Sequence, residues 1–380
     1  MKARAANRYT GLVDKYRDRL PIGQDTAAVT LCEGDTPLVR LDRVERELGR
    51  DVKLYAKLEG QNPTGSFKDR GMTVAVTRAV EEGARAVVCA STGNTAASAA
   101  AYAARAGLTA FVLVPADKVA PGKLAQAMVH GAVVLAVAGS FDDAMAVVKT
   151  LGEDGTVTVV NSISPFRLQG QKTVAFEVIE ELGRTPDYHC VPVGNAGNIA
   201  AHWIGYSECC PGRRSRVTGA CAFCQGRCPY ATRLTDERPV MVGYQAAGAA
   251  PFLRGHPVKQ PETVASAIRI GDPQSWDFAW SAVKESGGWF EELTDEDLLA
   301  TQRLLATREG IFCEPASAIS VAGAMRDVRS GRIPEGSIVV CTVTGHGLKD
   351  PESAVRQCPE PIAVEASEDA VRAVILDRIR

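Results

Sequence analysis

The stretch "RAVVCASTGNTAASAAAYAARAGLTAFVLVP", Arg85 to Pro115, decides the fold class. An apolar run (85–91) meets a turn of glycine and hydroxyl residues. An alanine-rich helical run (93–107) follows, and then a second apolar run (109–115). Strand, helix and strand at this spacing make a βαβ unit, and strands that are apolar throughout are covered on both faces. The pattern extends outward. "AVVLAVAG" (132–139) leads into "SFDDAMAVVKTLGEDG" (140–155), and strand-like runs recur at 156–162, 187–194, 239–248 and 336–345. The chain therefore reads as α/β, with two open, mostly parallel, helix-covered sheets. Its 380 residues exceed what one compact domain usually holds. A larger, discontinuous domain over 1–60 and 157–380 and a smaller one over 61–156 are expected, with a cleft between them.

Composition excludes several classes. Hydrophobic residues make up 46% and charged residues 23%, as in ordinary globular proteins. The formal net charge of −2 offers no footprint for nucleic acid or for an anionic membrane. No apolar run approaches the roughly 20 residues that cross a bilayer. The first residues, "MKARAANRYTGLVDKYRDRL", are charged and lack the apolar centre of a secretory signal, so a cytoplasmic location is expected.

Three turns rich in glycine and hydroxyl or amide residues follow predicted strands: "STGNTAAS" (Ser91 to Ser98), "PVGNAGNIAA" (Pro192 to Ala201) and "TVTGHGLKD" (Thr342 to Asp350). Backbone N–H groups at a helix start bind carboxylates and phosphates, and ligands of open α/β sheets sit at the C-terminal ends of strands. The second turn is no P-loop, because the Lys-Ser/Thr ending is absent. A fourth stretch, "QNPTGSFKDRGM" (Gln61 to Met72), sets Lys68 where a small-residue turn hands the chain to a helix. A lysine facing several anion-binding turns, without a nucleotide motif, points to pyridoxal phosphate. That cofactor needs an amine for its aldehyde, a cradle for its phosphate and a partner for its ring nitrogen.

"NPTGSFKDRG", "STGNTAASAAAYAARAG", "PVGNAGNIAA", "EPASA" and "CTVTGHGLKDP" together resemble the threonine synthase family, in the fold type II group of pyridoxal-phosphate enzymes that includes the tryptophan synthase β chain. The five motifs stand in the family's order, from about Leu31 to about Pro351. The resemblance implies that the cofactor lies in the cleft between the domains. It implies that Lys68 joins the cofactor's aldehyde and then moves protons at the substrate's Cα and Cβ. Asn94 faces the cofactor's phenolic oxygen, and Ser91, Thr92 and Thr95 lie near the substrate's carboxylate or phosphate. Gly194, Asn195, Ala196, Gly197 and Asn198 wrap the cofactor phosphate, and Thr344 meets the ring nitrogen. A hydroxyl cannot keep that nitrogen protonated as a carboxylate would, so proton transfer leans on the placing of Lys68. In "NSISPFRLQGQKT", Ser162 and Arg167 stand where family members bind the phosphate of O-phosphohomoserine, a dianion that suits a bidentate guanidinium. Ser164 stands where the family often has a second asparagine, which leaves room for a different leaving group. A homodimer is implied too.

One segment departs from this texture. Residues 207–239 are rich in Cys, Arg, Gly and Pro and read as an insertion, with Cys209, Cys210, Cys221, Cys224 and Cys228 within 20 residues. Thiolates so spaced can grip zinc or an iron–sulfur cluster, form redox disulfides, or do nothing. In a cytosolic chain such a cluster favours a metal.

Three functions remain in play. The first is conversion of O-phospho-L-homoserine and water to L-threonine and phosphate. The second is β- or γ-replacement or elimination on another phosphorylated or activated amino acid. The third, of another class, is metal or redox sensing on a retired enzyme scaffold, against which the intact Lys68, Asn94 and Thr344 stand.

Overall fold

The structure is a computed structural model that describes residues 8–118, 121–139, 141–153, 157–162, 164–210 and 233–379. Its strands form two sheets. One has six strands in the order β1 (Leu38–Arg40), β2 (Lys53–Leu58), β10 (Ile338–Val343), β7 (Tyr188–Pro192), β8 (Val240–Ala246) and β9 (Trp289–Leu293). The other has four, β5 (Val133–Val137), β4 (Thr109–Pro115), β3 (Ala86–Ala90) and β6 (Thr158–Val159). Among the described strands only β1 and β2 pair antiparallel. The two open, mostly parallel sheets expected from the sequence are present. β6 pairs with β3, so the boundary expected after residue 156 falls just before the last strand of the smaller sheet.

The central strands are apolar because helices cover both their faces. β10 buries Val339, Val340, Cys341 and Val343, and the helix Pro315–Arg329 packs Ile319, Ala322 and Met325 into the same cluster. β3 and β4 are sealed by the alanine face of the helix Asn94–Ala106, where Ala96, Ala99, Ala100 and Ala103 keep the helix close to the sheet. β1, β2 and β9 have no counterpart among the runs read from the sequence. β1 has three residues, β2 carries Lys53 and Lys57, and the edge strand β9 carries Glu291 and Glu292. Charges interrupt the apolar signal there.

One crossing sets the geometry of the cleft. The helix Lys68–Glu81 packs on the helix Pro165–Gln171 with their backbones in contact. A Cβ built on Gly170 would lie 1.8 Å from the Arg70 carbonyl oxygen, and one on Gly71 would lie 2.9 Å from that of Arg167. Only glycine fits such an approach.

Arg70 anchors this crossing in a fully buried cluster. Its guanidinium meets both oxygens of Glu59 at 2.6 and 2.8 Å and both of Glu177 at 2.7 Å, with Thr36 and Thr173 at 3.0 and 3.1 Å. Lys57, from β2, reaches Glu177 at 2.9 Å. Burial alone would raise the Glu177 pKa, but the charges of Arg70 and Lys57 outweigh it and hold the carboxyl well below its ordinary value. The stability this confers is present above the ordinary value of 4.5 and is lost as pH falls below it. Replacing Arg70 with alanine would strand Glu59 in the core and leave Glu177 to Lys57, at a cost of about 3–5 kcal/mol. We expect R70A to unfold at markedly lower urea than the parent. R70K keeps the charge but cannot face both carboxylates with a planar fork, and it should fall between.

Candidate active site

Lys68 opens its helix, and two sets of contacts fix its turn. From below, Asp69 accepts hydrogen bonds from the Thr64 amide (2.7 Å), the Thr64 hydroxyl (2.6 Å) and the Ser98 hydroxyl (2.6 Å). From the side, the turn is stitched to the chain leaving β10. The Phe67 amide donates to the Thr344 carbonyl (3.0 Å), and the His346 amide donates to the Gly65 carbonyl (2.9 Å). Gly65 has φ +87°, a left-handed turn that favours glycine. The half-buried Lys68 is thus carried to the end of β10 beside Thr344. Burial, helped by the charge of Arg167 and opposed by Glu314, brings its pKa down to about 7.

The other predicted residues arrive at strand ends. Ser91 and Thr92 follow β3, and Asn94 and Thr95 begin the next helix. The Asn94 amide nitrogen donates to the Glu314 carboxylate at 3.2 and 3.4 Å. The Thr344 hydroxyl lies 2.9 Å from that of Ser317, which also accepts from the Gly345 amide at 2.8 Å.

Gly194 to Asn198 wrap the chain from β7 into the helix Gly197–Cys209. A Cβ on Gly194 would press to 2.9 Å from the Ile268 Cα, and Ala196 adopts φ +63°, strained for a residue with a side chain. The Asn195 amide donates to the Ser162 hydroxyl, while its carbonyl accepts from the Gln274 amide at 2.7 Å. The Asn198 amide is buried, and neither its nitrogen nor its oxygen has a partner among the described residues. After β6, the Asn161 amide pairs with both backbone groups of Ala90 at 3.0 Å, and Ser164 starts the helix that carries Arg167. Arg167 is 1% exposed. Its Nη1 makes a long bond of 3.4 Å to the Val160 carbonyl, and its Nε and Nη2 have no partner among the described residues. Burial lowers its pKa to about 10.

A buried guanidinium and a buried amide with unmet hydrogen-bonding groups, beside an amine of lowered basicity, describe a site built for an anionic ligand. The strained turn, the orphaned Asn198 amide and the paired hydroxyls of Thr344 and Ser317 fit pyridoxal phosphate.

Residues 29–345 match the pyridoxal-phosphate dependent enzyme family. The threonine synthase of Synechocystis is 51% identical over 352 residues, 93% of this chain and 86% of that protein. That of Mycobacterium tuberculosis (strain H37Rv) is 50% identical over 360 residues, 94% of each chain. That of Methanocaldococcus jannaschii is 48% identical, over 95% of this chain and 86% of its own. The chain belongs to the threonine synthase family of pyridoxal-phosphate dependent enzymes. Solved structures share its fold. Maize serine racemase superposes with a TM-score of 0.66 at 18% identity, covering 90% of this chain and 92% of that one. Cysteine synthase of Entamoeba histolytica gives 0.68 at 17% identity, covering 87% and 90%.

Against the family's motifs the structure adds residues that the sequence reading left without a role. Glu314 and Ser317 both belong to "EPASA", a motif that reads as an ordinary helix start. The Cys-rich insertion lies partly within the described residues. Cys209 ends its helix turned into the core, where its sulfur accepts from Arg19 at 3.4 Å, and Cys210 is buried beside it. Cys221, Cys224 and Cys228 lie outside the described residues. No group of three or more His, Cys, Asp or Glu residues that could hold a metal occurs among the described ones. Among them also, no helix is long and apolar enough to cross a membrane.

The lowered Lys68 pKa has a kinetic consequence. The amine must be neutral to engage an aldehyde, and it is neutral above about 7 rather than above 10.5. The rate at which apoprotein takes up pyridoxal phosphate, followed by absorbance, should rise with pH to a plateau with its midpoint near 7. A midpoint above 9 would contradict the burial argument.

Proposed function

We propose that the protein converts O-phospho-L-homoserine and water to L-threonine and phosphate, with pyridoxal phosphate as cofactor. The observation that carries the reading is Arg167, a buried guanidinium with two unmet nitrogens in the pocket of Lys68. The threonine synthases at about 50% identity support it.

When bound, the cofactor supplies an electron sink for charge developing at the substrate's Cα. The chain's residues do the rest. Arg167 grips the substrate phosphate and steadies it as it leaves Cγ, a task for which its planar fork is suited. Lys68 moves protons between carbons: those it takes in turn from Cα and Cβ are returned at Cγ and Cα, while water adds at Cβ, and its lowered pKa leaves a useful fraction in the basic form near neutrality. Ser91, Thr92 and Thr95 offer hydroxyls to the substrate carboxylate. Gly194 to Asn198 hold the cofactor phosphate at a helix N-terminus, and Asn195 ties that cradle to Ser162 on the substrate side. Thr344, backed by Ser317, meets the ring nitrogen. The same reading makes the four-stranded unit, about residues 61–156 with β6 added, the smaller domain, and the remainder the larger. It includes a homodimer in the cytoplasm.

Phosphate release from O-phosphohomoserine, with threonine detected, tests the assignment. A wild type that releases none would end it. Lys68→Ala should abolish turnover and the yellow absorbance of bound cofactor while leaving the fold intact. Arg167→Leu should lower kcat/KM by roughly 30- to 1,000-fold, corresponding to about 2–4 kcal/mol of lost charge-assisted binding. Because that guanidinium is buried and makes no ion pair among the described residues, the same variant should be as stable as the parent or more so in urea. A variant that loses activity by unfolding would show that Arg167 is structural.

A further inference from the structure

Glu314 stands at the start of the helix Pro315–Arg329, at the position where a short polar side chain commonly caps a helix. It does not do so here: no side-chain cap bond is made, and Pro315 occupies the first helical position. The side chain instead crosses the cleft to Asn94, at 3.2 and 3.4 Å. It lies flat on Gly345, where an added Cβ would fall 2.5 Å from the carboxylate. Gly345 leaves room for this carboxylate immediately after Thr344, while the Glu314 amide donates to the Gly345 carbonyl at 3.1 Å. The group is 4% exposed. A buried acid aimed away from its own helix has been given another task.

We propose that Glu314 is a positioning residue of the reaction, whose carboxylate orients the Asn94 amide so that its NH2 end, with one N–H still free, is presented to the cofactor's phenolic oxygen. This rests on the reading of the Lys68 pocket as the cofactor site. An ionised carboxylate accepts only, so it selects the nitrogen end of the amide. A protonated one donates, and would attract the carbonyl end instead. The titratable groups around Glu314 are Lys68 from the facing helix, Lys349, Asp350 and His346 from the chain after β10, and Cys313 beside it. Burial raises its pKa to about 7, against the pull of Asn94, Lys349 and Lys68 and with that of Asp350. The orientation of Asn94 is therefore set by a proton that comes and goes near neutral pH.

The test uses reconstituted holoenzyme between pH 6 and 8.5, with cofactor dissociation constants and absorbance spectra as readouts. Glu314→Ala should weaken pyridoxal phosphate binding by roughly 10- to 100-fold, the range of a lost hydrogen bond to a charged group. Glu314→Gln retains an acceptor and should recover most of that loss. It should also abolish a transition with a midpoint near 7 in the cofactor dissociation constant; because the Lys68 nitrogen itself titrates when joined to the aldehyde, this transition is read in a Lys68→Ala background, where that nitrogen cannot supply it. In an Asn94→Ala background, Glu314→Ala should change binding by less than about twofold, because the two act as one unit. If Glu314→Ala fails to fold by circular dichroism, the glutamine variant's titration decides alone. Additive effects of the two alanines, or a transition that survives in Glu314→Gln, would overturn the inference while leaving the function standing. A parent that binds no pyridoxal phosphate would overturn both.

Discussion

Everything in the cleft depends on Arg70 being answered from two directions at once. The guanidinium is buried with Glu59 and Glu177, and Lys57 completes a cluster of two cations and two carboxylates. Each member alone would be expensive in the interior, so none is tolerable without the others. Their elements are thereby bound together: β2 through Lys57, the short turn after it through Glu59, the lysine helix through Arg70 and the helix Thr173–Leu182 through Glu177. The residue two places before Arg70 is Lys68. Its position follows from how its own helix is pinned in the larger unit, while Asp69 pins the same helix to Ser98 in the smaller one. Of three consecutive residues, Lys68 thus stands between helix contacts made by the next two: Asp69 to Ser98 and Arg70 to Glu59 and Glu177.

The pocket that results is electrostatically unfinished. Lys68 and Arg167 are two cations in buried surroundings, and among the described residues Glu314 is the opposite charge that acts on Lys68. Burial depresses the pKa of both cations, a cost that an anionic ligand would offset. The hydroxyls of Thr344 and Ser317 and the amides of Asn94, Asn195 and Asn198 supply direction without adding charge. Such a site has its dipoles oriented before the ligand arrives, so little reorganisation is left for the reaction.

What the sequence made legible follows the physics of burial. β3, β4, β7, β8 and β10 were readable because helices on both faces demand unbroken apolar runs. β2 hid its strand behind Lys53 and Lys57, the second of which is buried by an ion pair that no local pattern announces. β9 hid behind the glutamates of an edge. Lys68, Asn94 and the Gly194–Asn198 turn could be singled out from short motifs, because each stands where a strand end or turn meets a helix start. Glu314 and Ser317 were not, since their partners Asn94 and Thr344 lie 220 and 27 residues away.

The contact between Gly71 and Gly170 acts as a ruler. With no side chain between the two helices, the backbones rest on each other, and the position of Arg167 relative to Lys68 is a length set by covalent geometry rather than by rotamers. Side chains packed between helices can adapt to a ligand one methylene longer or shorter, but two peptide backbones in contact cannot. Discrimination among phosphorylated amino acids of different chain length would then reside in a place that touches none of them.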